Sequence, residues 1–121
     1  MASVRRVLIL EDESGLATRI ADCLEDAGYD VAGPVRNVLE AKRVVGLDGV
    51  DCAVISADLA NENPMSLAHE IAKQRVPVLI LSQSASLRAA DSGGRYRRLM
   101  KPISPRQLLS EIDAMFAPKA A

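Results

Sequence analysis

Three consecutive acids, Glu11, Asp12 and Glu13, end the first apolar run of the chain. Ser56 and Asp58 come just after another run, Val50 to Ile55, and Ser82-Gln83-Ser84 after Val76 to Leu81. Lys101-Pro102 follows a less apolar stretch, Arg95 to Met100. Carboxylates and hydroxyls are hard oxygen ligands that suit Mg²⁺, and a lysine near a hydroxyl suits a phosphoryl group. Taken singly, each of these residues is an ordinary solvated loop residue or surface charge. They make a site only if the fold gathers them at one edge.

The elements that would do so are written in the hydrophobic pattern. Val4 to Leu10 is β-branched and leucine-rich, as in a strand buried on both faces. A helical stripe of Leu16, Ile20, Cys23, Leu24 and Ala27 follows, closed by Gly28. Tyr29 to Ala32 predicts a short second strand ended by Gly33-Pro34, and Asn37 can cap a helix carrying Val38, Ala41, Val44 and Val45, ended by Gly46. Val50 to Ile55 is the third strand. Asn63-Pro64 opens a helix with Leu67, Ala68, Ile71 and Ala72, and Val76 to Leu81 is the fourth strand, with Pro77 near its start. Ser86 to Ala90 is at most a short helix before Ser92-Gly93-Gly94, and Arg95 to Met100 is the fifth strand. Ser104-Pro105-Arg106-Gln107 reads as a capping box for a last helix with Leu108, Leu109, Ile112, Met115 and Phe116. Strands alternating with helices predict one α/β domain over 1–121, core about 4–117, with a parallel sheet covered on both faces. In such sheets ligands bind beyond the carboxyl ends of the strands, where all the residues of the opening paragraph fall.

Composition narrows the function classes. Lys and Arg total 15 against 16 Asp and Glu, a net charge of -1, which argues against a generally basic nucleic-acid binder or an acidic disordered tail. Hydrophobic residues are 49% but aromatics only 2%, so the core must be Val, Leu, Ile and Ala, with no stacking platform for bases. Cys23 and Cys52 are too few for a disulfide scaffold or zinc site and read as buried small hydrophobes. Four apolar residues, Val7 to Leu10, cannot serve as a signal-peptide core, and no segment is long enough to span a bilayer; a soluble, cytoplasmic protein is expected.

The segments Val7-Leu8-Ile9-Leu10-Glu11-Asp12-Glu13, Gly28-Tyr29-Asp30-Val31, Asp51-Cys52-Ala53-Val54-Ile55, Pro77-Val78-Leu79-Ile80-Leu81-Ser82 and Lys101-Pro102, in that order and spacing, resemble the receiver domain of two-component response regulators. The resemblance implies a five-stranded parallel sheet in flavodoxin-like, doubly wound order 2-1-3-4-5. It implies phosphorelay signalling, in which a histidine kinase passes a phosphoryl group to an aspartate beside Mg²⁺, rather than a free-standing enzyme. Glu11 and Asp12 match the metal-binding acid pair, Ser82 the hydroxyl that meets the phosphoryl group, and Lys101 the lysine that pairs with it. The bond before Pro102 is expected to be cis.

Two positions depart from the pattern. The family's third strand reads as an acid, four mostly apolar residues, then the phosphoaccepting Asp; here Asp51 leads and Ser56 stands in the acceptor slot. Asp58 falls two residues later, where the family offers a backbone carbonyl to the metal. Making Asp58 the acceptor instead would lose the anchors on either side. A serine hydroxyl needs a general base that a carboxylate nucleophile does not, and two acids in place of three predict weak Mg²⁺ binding. The chain is therefore expected to be a degenerate receiver (pseudo-receiver) acting through protein contacts; a phosphorylatable receiver using Asp58, or Ser56 by another route, is the alternative. In the second departure, Arg98 occupies the slot where the family often has a switching aromatic, with Tyr96 two residues earlier.

Arg95, Arg97 and Arg98, with Arg88 and Lys101, form the one basic cluster. A charged edge strand would explain them equally. In the family this surface, built from the fourth helix, fifth strand and fifth helix, docks partners or dimerises, so Arg95, Tyr96, Arg97 and Arg98 are the candidate partner surface. A histidine kinase or another, acidic signalling protein, or a second copy of the chain, is the expected partner; membrane and nucleic acid are not. His69, the single histidine, reads as a surface residue. No effector domain is expected within the 121 residues. A small flavodoxin-like ligand-binding protein or enzyme is the remaining reading, disfavoured because Glu11-Asp12-Glu13-Ser14-Gly15 is no glycine-rich phosphate loop.

Overall fold

A computed structural model describes residues 4–83 and 96–116 of the chain. The elements are β1 (Arg6–Leu10), α1 (Ser14–Asp26), β2 (Asp30–Val35), α2 (Val38–Asp48), β3 (Cys52–Ser56), α3 (Met65–Lys73), β4 (Val78–Ser82), β5 (Tyr96–Met100) and α4 (Pro105–Phe116). All strand pairings are parallel, in the order β2-β1-β3-β4-β5 expected from the resemblance. The short helix expected at Ser86 to Ala90, and with it Arg88 and Arg95, lies outside the described residues.

Strand burial follows this order. Val7 to Leu10 of β1 and every residue of β3 and β4 are buried, because these strands sit inside the sheet with helices over both faces. The edge strands β2 and β5 keep residues exposed. Alternating side chains feed two cores. Leu8, Leu10, Ala53, Ile55, Val78 and Ile80 pack against α2 and α3. Val7, Ile9, Cys52, Val54, Leu79 and Leu81 pack against α1 and α4. The three aromatics sit at the margins, with Tyr29 stacked on Phe116 and Tyr96 edge-on to the exposed His69.

Helix starts match the sequence signals closely. Asn37 Oδ1 accepts the Glu40 N–H at 2.9 Å. Ser104 and Gln107 form the reciprocal capping box, with Gln107 N–H donating to Ser104 Oγ at 3.1 Å and Ser104 N–H to Gln107 Oε1 at 3.3 Å. The α3 helix begins at Met65, one residue later than Pro64, and Asn63 Oδ1 accepts the Met65 N–H at 2.9 Å.

Several boundaries differ from expectation. β2 does not stop at Gly33-Pro34 but runs through it to Val35. Gly33 takes φ +104° where the register with β1 shifts, and an edge strand tolerates both the bulge and the proline. Gly46 does not end α2; the helix continues to Asp48, and Gly49, at φ +69°, closes it. β1 starts at Arg6, β3 at Cys52 and β4 at Val78, so each strand begins two residues into its apolar run. Cys52 is buried as expected, whereas Cys23 is only half-buried, between α1 and the start of α4. The Lys101–Pro102 bond is cis as expected, and so is Gly33–Pro34, which was not anticipated.

Candidate functional site

β2 and β3 flank β1 on opposite sides, so the chain leaves β1 toward α1 on one face and β3 toward α3 on the other. The loops diverge and leave a crevice at the carboxyl ends of the strands. Glu11, Ser56, Ser82 and Lys101 stand around it, at the ends of β1, β3, β4 and β5 respectively.

Lys101 is the hub. Its Nζ donates to Glu11 Oε1 at 3.0 Å and to Ser56 Oγ at 2.9 Å, and lies 3.6 Å from Asp58 Oδ2. The residue is held from behind as well, its N–H donating to the Ser82 carbonyl at 2.9 Å. Glu11 is 1% exposed, and its second oxygen accepts the Glu13 N–H at 3.1 Å. A carboxylate that deep is tolerable because both oxygens are satisfied and the ammonium is adjacent.

Ser56 is fully buried as the last residue of β3. Its Oγ accepts from Lys101 and, at 3.4 Å, from the Asp58 N–H. Among the described residues no carboxylate lies in hydrogen-bond contact with this hydroxyl, so nothing is poised to take its proton. Ser82 is buried at the end of β4, one strand over.

Asp12 turns the other way. Its Oδ2 accepts the Ala60 N–H at 2.8 Å, and its carbonyl accepts from Arg36 at 3.3 Å, tying the loop after β1 to those after β3 and β2. Asp58 offers more than a carbonyl: its carboxylate Oδ2 accepts the Gln83 N–H at 2.8 Å while facing Lys101. Sequence reasoning missed the Gln83 and Ala60 amides and the reach of the Asp58 carboxylate to Gln83 and Lys101. Backbone donors carry no residue signature, and only the closed loop shows where the carboxylate goes.

β5 divides the proposed partner surface. Tyr96 and Arg98 share one face, and Arg98 is exposed. Arg97 points to the opposite face, where its guanidinium meets Glu111 of α4 at 2.9 Å. Burial pushes the Tyr96 phenol above its ordinary pKa, and among the described residues its hydroxyl has no hydrogen-bond partner.

A five-stranded 2-1-3-4-5 sheet with acids, hydroxyls and a lysine at its carboxyl edge defines a phosphorelay-type receiver. The response regulator receiver domain model matches residues 7–113, and the chain belongs to that family. The transcriptional regulatory protein PdtaR of Mycobacterium tuberculosis is 30% identical over 113 residues, which cover 90% of this chain and 55% of PdtaR. The alginate biosynthesis transcriptional regulatory protein AlgB of Pseudomonas putida is 30% identical over 109 residues, 85% of this chain and 24% of AlgB. The chain thus spans about half the length of the first relative and a quarter of the second. In fold it is similar to a CheY-like receiver domain protein from Methanospirillum hungatei (TM-score 0.81, 24% identity, 93% of each chain). It is likewise similar to the PhyR receiver domain of Erythrobacter litoralis (TM-score 0.82, 21% identity, 98% of each chain).

Receiver domains interact with histidine kinases and other signalling proteins and typically bind Mg²⁺ at the acidic phosphorylation site. Here the two acids expected to hold that ion already have partners. Glu11 is committed to Lys101 and Asp12 to Ala60, and among the described residues no three metal-ligating side chains are grouped to hold a metal. No helix of the described residues is long and apolar enough to cross a membrane.

Proposed function

We propose that this chain is a degenerate receiver, in which Ser56 stands in the phosphoacceptor position and the output is a protein-protein contact rather than an aspartyl phosphate. The observation that carries the reading is the 2.9 Å contact between Lys101 Nζ and Ser56 Oγ. The lysine that would neutralise a phosphoryl group meets a neutral hydroxyl, at the buried end of the central strand. A serine there needs a base to become a nucleophile, and among the described residues no carboxylate is in contact to serve. Glu11, Asp12 and the Asp58 carbonyl are the residual metal ligands in this reading, and Mg²⁺ binding is weak. The module is a signalling domain, not an enzyme. Tyr96 and Arg98 form the half of the β5 surface available to a histidine kinase, another acidic signalling protein or a second copy. Arg97 is engaged with Glu111 instead.

A second reading has its own observation. The Asp58 carboxylate lies 3.6 Å from Lys101 with 28% of its side chain exposed, so phosphorylation there is the alternative. Intact-mass measurement after incubation with a small-molecule phosphodonor and Mg²⁺ separates the two. Unmodified wild type beside a singly phosphorylated Ser56→Asp variant supports the degenerate receiver. A hydroxylamine-sensitive phosphate on wild type, lost in Asp58→Asn, overturns it.

A further inference from the structure

Asp58 belongs to the loop after β3, yet its carboxylate reaches across to groups at the ends of two other strands. One oxygen, Oδ2, accepts the N–H of Gln83, just past β4, at 2.8 Å and faces the ammonium of Lys101, just past β5, at 3.6 Å. A backbone N–H paired with an ammonium on a single oxygen is the donor set that binds an oxyanion. The same two residues line an open cleft of about 470 Å³ together with Glu13, Arg19 and Ile103. An anion from solvent therefore has a route to these donors, and the protein's own carboxylate is already on them.

We propose that Asp58 is a built-in anion that occupies the Lys101–Gln83 oxyanion pocket and shuts it to external phosphate. The proposal rests on the reading of Ser56 as a neutral stand-in: with no charge at the end of β3, the ammonium that already bonds Glu11 and Ser56 also draws Asp58. A strand-end N–H needs an acceptor in any fold. A mere structural bond does not require that its acceptor also face the Lys101 ammonium. Glu11 and Asp58 together outnumber Lys101, so an incoming oxyanion meets a filled position beside two like charges. The chain then holds its β3, β4 and β5 ends joined through a carboxylate, with no phosphate supplied.

The test is a titration of inorganic phosphate into ¹⁵N-labelled protein, following the Gln83 amide and the Lys101 side chain by NMR. Wild type is expected to show no saturable shift at either group. Asp58→Ala is expected to bind phosphate at both, at least about tenfold more tightly than wild type, the factor set by removing one like charge from a charge-assisted contact. Asp58→Asn, which keeps the size but removes the negative charge that faces Lys101 and repels an oxyanion, is expected to bind phosphate too, and covers the case in which the alanine variant does not fold. Equal phosphate response in wild type and both variants overturns the proposal, as does binding that maps elsewhere than Gln83 and Lys101. Failure of the Ser56 reading instead appears as covalent phosphate in an intact-mass experiment, which this non-covalent titration does not produce.

Discussion

The ammonium of Lys101 stands 2.9 Å from the hydroxyl of Ser56, a charge against a neutral oxygen, at the end of a strand with no solvent-exposed residue. That contact is made from one side by β5 and from the other by β3, which are separated in the sheet by β4. The lysine must therefore extend over the end of β4 to reach it, and its other partners, Glu11 and Asp58, draw it to the centre of the crevice. Whatever enters the site meets a cation already shared among three oxygens.

Restoring a carboxylate at this point should change the balance. Ser56→Asp adds a third acid beside Glu11 and Asp12 and gives Lys101 a charged partner at the end of β3. Mg²⁺ affinity is expected to rise by roughly tenfold or more, since affinity of hard-cation sites follows the number of charged oxygens. Isothermal titration of both proteins with Mg²⁺ reads the difference directly. Equal affinities would mean that the engaged Glu11 and Asp12, not the serine, limit the metal.

The pairing of Lys101 with Glu11 should matter for stability. Glu11 is 1% exposed, so Lys101→Met leaves a buried carboxylate without its cation. The expected loss is about 3 kcal/mol, at the low end for a broken buried pair because the Glu13 N–H still serves one oxygen. Adding Glu11→Gln removes the stranded charge, and the double variant should lose less than the sum of the two singles. Urea unfolding of the four proteins completes the cycle; strict additivity would show that the two groups do not interact.

Legibility in the sequence tracked burial. β1, β3 and β4 are readable because strands covered on both faces are continuous apolar runs, and Glu11, Ser56 and Ser82 follow from where those runs stop. The pattern predicts too short a β2 because Gly33-Pro34 normally punctuates structure, whereas here an edge position absorbs a bulge and a lost donor. Gly46 predicts a stop because glycine is a poor helix former, but a single exposed glycine costs only about 1 kcal/mol and α2 continues past it. The reach of Asp58 to Gln83, and of Asp12 to Ala60, was invisible for a different reason. Both bonds join residues far apart in sequence through backbone N–H groups that every residue type but proline carries.

The last helix hangs on its cap. Ser104 and Gln107 satisfy two of the donors that the first turn of α4 leaves open. Ser104→Ala is expected to lower stability by about 1 kcal/mol. Ser104→Asp, which keeps an acceptor in place, should recover most of it. The check is a urea midpoint shift at constant slope; an unchanged midpoint in the alanine variant would show that water caps the helix equally well.

The two thiols give a direct probe of the sheet's interior. Cys52 is 0% exposed on β3, and burial pushes its pKa up to about 12, so at neutral pH it is a protonated thiol with no access to solvent. Cys23 is half-buried on α1, its Sγ 3.8 Å from the Pro105 carbonyl; burial first, then the nearby Asp26, raise its pKa as well. Because the thiolate is the reactive form, a thiol-specific disulfide reagent at about pH 8, near the free-thiol range, should modify Cys23 slowly and Cys52 not at all. Raising the pH should speed the Cys23 reaction, since its deprotonated fraction grows. Reaction at Cys52 should appear only as denaturant unfolds the sheet, and the Cys23→Ser variant should be inert until then. Two thiols reacting at similar rates in the native protein would place β3 at an edge and contradict the 2-1-3-4-5 order on which the crevice depends.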